Sequence, residues 1–213
     1  MRFDPTTIPA RMKKLERDKR GYPIPFIVWR DTDNQPHFTI NDTEVVLACL
    51  TGGRCSICGD KLGTNTWIIG GPKSAFHKYG AYIDPPVHKD CGTFALKTCP
   101  YIALPSYTGR IDAKTVKPDK VGGFGLFEDR TMIPDRPEIF VFGKTSGAKV
   151  TIPEIGQHYV HPNRPWLAIE YWKDGKQISE SEALSVFVER EDISEWPYLP
   201  LNRELDRHAR HHR

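Results

Sequence analysis

Arg54-Cys-Ser-Ile-Cys-Gly59 and His88-Lys-Asp-Cys91 decide the reading of this chain. The pattern is Cys-x2-Cys, a gap of 29 residues, then His-x2-Cys. Structural zinc takes four thiolate or imidazole ligands in a tetrahedron. A Cys-x-x-Cys-Gly turn supplies two thiolates from a tight knuckle, because glycine permits the backbone reversal. Residues three apart at the start of a helix face one side, which pairs His88 with Cys91. Pro85-Pro86 precedes that helix, residues 92–98 continue it, and Pro100 stops it. Cys55, Cys58, His88 and Cys91 are therefore the predicted ligands of one structural Zn2+. Cys49 and Cys99 read as small buried hydrophobes.

The gap holds a strand pattern at 66–69, a Gly70-Gly-Pro72 break and a second strand pattern at 81–83. Knuckle, hairpin and ligand-bearing helix in that order form a treble-clef-like module over residues 54–108. Outward from it, residues 1–53 read as a helix and hairpin segment packing on the zinc module. Ile8, Met12 and Leu15 suggest an amphipathic helix near 9–19. Strands follow at 25–29 and 37–40, then a helix at 44–50 capped from 41–43 and stopped by Gly52-Gly53. Residues 109–136, rich in Lys and Gly, read as a connector.

Residues 137–200 read as a C-terminal β-rich unit ending in a helix. Strands are predicted at 138–142, 149–152 and 166–172. Lys173-Asp-Gly-Lys176 is a tight hairpin turn, since Asp-Gly tolerates positive φ. Ser179 and Glu182 have capping-box spacing, and Ala183, Leu184, Phe187 and Val188 form the helix's apolar stripe. Residues 201–213 are a polar tail. The fold class is α+β.

Composition bounds the function. With 38% hydrophobic and 27% charged residues, the chain has enough apolar content for a packed core, which excludes a wholly disordered protein. No apolar run reaches the ~18–20 residues of a membrane span, and the first 20 residues lack a signal-like apolar core. Five cysteines, an odd number, fit a disulfide framework poorly. These features point to an intracellular metal protein with no membrane partner.

Residues 20–26 (Arg-Gly-Tyr-Pro-Ile-Pro-Phe), 54–63, 85–91 with Cys99-Pro-Tyr101, and 166–176 carry a resemblance. They are similar to a family of uncharacterised proteins from bacteria and their phages. That resemblance implies zinc binding by Cys55, Cys58, His88 and Cys91, a phage or mobile-element origin and a bacterial cytoplasmic location. It implies no activity.

The preferred function is a zinc-stabilised binding protein that recognises a macromolecule, nucleic acid or protein. A net charge of +3 is too small to imply nucleic acid by itself. Basic residues do cluster at 11–20, and Lys114, Lys117 and Lys120 sit on the connector. The rival is an HNH/ββα-metal nuclease, in which His77 would activate water; its helix partner is missing once His88 binds zinc. A zinc deaminase is excluded, because His-x-Glu ahead of the Cys pair is absent. A third reading is a phage-encoded inhibitor of a bacterial enzyme, which needs a surface and leaves no motif. Tyr79, Tyr82, Tyr101 and Tyr107 read as support for a small zinc core, where metal replaces missing apolar burial.

Overall fold

The computed structural model describes residues 4–104, 136–153 and 157–200. Lys114, Lys117, Lys120, Tyr107 and the polar tail lie outside the described residues, as does all of the connector but Arg136. The architecture mixes α and β. Its centre is a four-stranded antiparallel sheet in the order β3-β4-β7-β8, formed by Thr66–Gly70, Phe140–Thr145, Ala168–Lys173 and Lys176–Ile178. Two hairpins flank it: β1 (Val28–Arg30) with β2 (Pro36–Asn41), and β5 (Ala148–Thr151) with β6 (Tyr159–Pro162). The helices are α1 (Thr43–Gly52), α2 (Pro72–Phe76), α3 (Lys89–Thr98), α4 (Pro100–Ala103) and α5 (Glu180–Arg190).

Both faces of the central sheet are covered. Side chains alternate along a strand, so Trp67, Phe140, Phe142 and Trp172 enter one core while Ile68, Val141 and Tyr171 enter the other. The first core also holds Ile8, Met12, Val87, Phe94, Leu96 and the three cysteines of the predicted site. The second holds Phe76 of α2, Phe187 of α5, Trp196 and Leu199. Two-sided burial explains the unbroken apolar run 139–142. Full burial of a side chain such as Phe142 stabilises by ~1.5–3 kcal/mol, and Phe142 is 0% exposed.

Several expectations hold. Asp42 Oδ1 accepts from Val45 N (3.1 Å) at the start of α1, and Gly53 ends it in the left-handed region. Asp174 (φ 48°) and Gly175 (φ 76°) turn the β7–β8 hairpin. Ser179 Oγ accepts from Glu182 N (3.2 Å) at the start of α5. Others are corrected. Residues 9–19 form no α-helix. Short 3-10 turns at Pro5–Thr7 and Ala10–Met12 bury Ile8 and Met12 instead. Residues 81–83 give one bridge, Tyr82 to Val160, so the expected hairpin inside the gap does not form. β3 takes β4 as its partner, which joins the predicted zinc module and the C-terminal stretch in one sheet. Val188 is 58% exposed and lies outside the buried stripe of α5. α2 and β6 had no counterpart in the sequence reading.

Candidate metal centre

The knuckle follows directly from α1. Arg54 N donates to Cys49 O (2.9 Å), and Arg54 bridges Lys61 across a miniature hairpin. Within it Cys55 N donates to Asp60 O (2.8 Å) and Gly59 N to Cys55 O (2.9 Å). Gly59 sits at φ +77°, a conformation that side chains with a Cβ adopt at a cost. Phe26 N and Ile27 N donate to Ile57 O and Ser56 O, tying the knuckle to the segment before β1.

The second ligand pair is placed from the sheet. Trp67 and Val87 exchange both backbone hydrogen bonds (3.1 and 2.7 Å), which pins the residue before His88 against β3. His88 is the N-cap of α3 and Cys91 lies in its first turn. Gly92 lets α3 approach the sheet closely; a Cβ there would stand 2.5 Å from the Phe142 ring.

These two placements bring Cys55, Cys58, His88 and Cys91 together, with ligand atoms all within 4.8 Å of one another. In a tetrahedral zinc site with Zn–S of ~2.3 Å, ligand atoms stand roughly 3.5–3.8 Å apart, so the cluster is within about an ångström of closure. Cys58 Sγ lies 3.4 Å from His88 Nδ1. On the far side of the ring, His88 Nε2–H donates to the Lys61 carbonyl (3.0 Å). A carbonyl only accepts, so this bond puts the proton on Nε2 and leaves the Nδ1 lone pair facing the cluster, the usual outer support of a metal-bound histidine. The three cysteines are at most 1% exposed.

Electrostatics favour a cation at the centre. The Cys55 thiol is held down to about 5, first by a hydrogen bond from Cys91, against burial, with amides of Cys58, His88 and Ile57 adding to it. The same hydrogen bond pushes Cys91 far up, followed by burial and the Cys55 charge. Burial pushes Cys58 up to about 11. Three crowded sulfurs therefore do not ionise together unless positive charge compensates them, and a metal ion supplies it. The residues present fit a borderline-soft divalent ion with sulfur and nitrogen preference.

The N-terminal segment closes over this centre. Ile8 and Met12 share its core. Arg11 Nε donates to Asp90 Oδ2 (2.9 Å), beside Cys91, and Lys14 pairs with Asp60 in the knuckle. The basic cluster at 11–20 is thus partly occupied within the fold: Arg20 also pairs with Asp18 (2.7 Å). Sequence reasoning missed the Arg11–Asp90 and Lys14–Asp60 pairs, since partners 79 and 46 residues apart leave no local pattern.

His77 stands apart from the cluster, at the C-cap of α2. Its Nε2 meets Glu195 Oε2 (3.0 Å) and its Nδ1 accepts from Tyr79 N (3.1 Å), so both ring nitrogens have partners. His158 meets Ile83 O (2.6 Å) and His161 meets Thr151 Oγ1 (3.2 Å); no second metal cluster occurs among the described residues. Cys49 is buried, as expected, and Cys99 half-buried. Tyr82 enters the second core and Tyr79 is 78% exposed, so neither supports the zinc core as expected. No helix of the described residues is long and apolar enough to cross a membrane. No protein-family model, curated protein or solved structure matches the chain, so the resemblance to bacterial and phage proteins gains no support from outside it.

Proposed function

We propose that the protein is a zinc-stabilised binding protein. Structural zinc clamps knuckle to helix in a treble-clef manner, and the surface recognises a macromolecule. The convergence of four Cys and His ligand atoms carries this reading. Four protein ligands fill a tetrahedron and leave no position for a reacting water, whereas catalytic zinc keeps one open. The hydrogen-bonded His77, engaged at both nitrogens, favours recognition over the nuclease chemistry.

Elemental analysis of protein purified without chelator tests the zinc. The expected result is one zinc per chain; metal-free, folded protein would overturn the site. Recovery from lysate, with and without nuclease treatment, tests the partner class. Material lost on nuclease treatment supports nucleic acid, and a bound protein that survives it supports a protein partner.

A further inference from the structure

A groove of about 580 Å3 opens among residues of α2's C-terminal loop, β5, β6 and the segment after α5. That volume falls within the ~300–1,000 Å3 of small-ligand sites. Lys78, Lys149 and Arg164 line it with His161, Tyr79 and Tyr198, and no carboxylate is among its lining residues. Lys78 shares its charge with Glu195 (2.5 Å). Neither Lys149 nor Arg164 makes an ion pair with an acid among the described residues.

Arg164 is fixed in place before any ligand arrives. Its Nη2 donates to Ser74 O (2.8 Å), and its guanidinium lies 4.3 Å from the Tyr198 ring centre and 5.6 Å from that of Trp166. Its Nε is buried and has no hydrogen-bond partner. A desolvated cation without a counter-ion is costly, and an anion in the groove offsets that cost. The local field is positive: His161 is held below its ordinary value, first by burial and then by Arg164 and Lys149. On the rim, Tyr79 is 78% exposed beside Lys78, whose ammonium lies 5.1 Å from the ring centre. A large exposed aromatic on the rim of a groove lined by two cations without an acidic partner, Lys149 and Arg164, offers a stacking platform and phosphate contacts together.

We propose that this groove binds single-stranded nucleic acid, with Arg164, Lys149 and Lys78 taking phosphates and Tyr79 stacking on an unpaired base. The assignment rests on the binding-protein reading above and names its site. A single strand fits better than a duplex, because only an unpaired base can stack on a side chain. Lysines and a stacking tyrosine recognise backbone and base faces, so sequence preference is weak.

The test is a titration of the full chain, with its metal, at low salt. The probes are labelled twelve-nucleotide oligo(dT) and oligo(U), a mixed-sequence duplex of the same length, AMP and inorganic phosphate. The expected order is single strands tighter than duplex, with AMP and phosphate weaker than either single strand. Tyr79→Ala should weaken the single strands by about tenfold or more, the usual effect of removing one stacked base. Lys149→Gln should flatten the slope of log affinity against log salt by ~0.7, one phosphate contact on a single strand. The groove lies against the core that holds Trp166 and Tyr198, not the one that holds the cysteines, so metal content should not change in either variant. Single strands that fail to bind overturn the groove assignment. So does strand binding that neither variant affects, or AMP or phosphate binding as tight as the strand. Metal content separates the two readings: bound zinc without strand binding defeats the groove alone, and strand binding by metal-free protein defeats the zinc clamp alone.

Discussion

Cys58 touches His88 across 3.4 Å and is 1% exposed, so on the zinc reading proposed above its sulfur is a buried ligand. Structural zinc contributes an apparent ~10–16 kcal/mol in small zinc-folded peptides, comparable to the ~5–15 kcal/mol net stability of a domain. Cys58→Ser should therefore lose the metal and unfold the knuckle, read as zinc content and near-ultraviolet circular dichroism. A charged pair elsewhere makes a milder case. Glu138 sits between Lys173 (2.6 Å) and Arg190. The Lys173 hydrogen bond, set against burial, holds its carboxyl below the usual range. A depressed folded pKa adds stability above the unfolded value, near 4.5, and that stability disappears as pH falls through the folded one. Glu138→Gln should destabilise by up to about 1 kcal/mol at pH 7 and by nothing at the acid end, checked by urea unfolding at both pH values. The Cys55, Cys58, His88 and Cys91 cluster was legible because metal chemistry demands particular residue types at short-range spacing. Arg164, Glu138 and Asp90 were not, because their partners are distant in sequence and the charges alone look like ordinary surface.

The β7–β8 hairpin and α5 were legible as elements, since positive φ and amide capping demand particular residues in adjacent positions. Asp174 and Gly175 occupy the two left-handed positions of the turn. The turn also packs on α4: a Cβ on Gly175 would lie 3.2 Å from Ala103 Cβ, and Arg136 joins Asp174 (3.2 Å) to the carbonyl of Ile102 (2.6 Å). Gly175→Val combines a strained backbone with that close contact. It should cost at least ~1–2 kcal/mol, measured as a fall in the urea midpoint. The N-terminal helix failed as a prediction for a physical reason. Ile8, Met12 and Leu15 have helical spacing, but tertiary burial and the Arg11–Asp90 and Lys14–Asp60 pairs hold the segment as two 3-10 turns. β6 was hidden by two histidine-bearing positions and Pro162 within or beside a four-residue strand. α2 spans five residues, too short to establish a period.

At the scale of the molecule, the decisive pairing is β3 with β4, five residues against five from Thr66↔Thr145 to Gly70↔Val141. The sequence places a connector between these strands, so a zinc module and a separate C-terminal unit were the natural reading. Strand pairing at long range leaves no local signature, and only the unbroken apolar run 139–142 hinted that this strand was central. The consequence concerns how the protein melts. α3, capped by His88 and carrying Cys91, rests on β4 through Gly92 and Phe142, and Val87 is hydrogen-bonded to β3. Gly92→Ala should force Phe142 aside and cost ~1–3 kcal/mol as overpacking, with a fall in midpoint that is shared by zinc release. More directly, if zinc fills the cluster as proposed, stripping it from the whole chain should release His88 and Cys91, loosen α3 and uncover one face of the central sheet. Amide exchange in β4 and β7 should then speed up together with exchange in 54–104, because a sheet buried on both faces loses protection when either cover goes. If β4 and β7 keep their protection while 54–104 exchanges freely, the second core holds the sheet alone and the molecule melts in two parts.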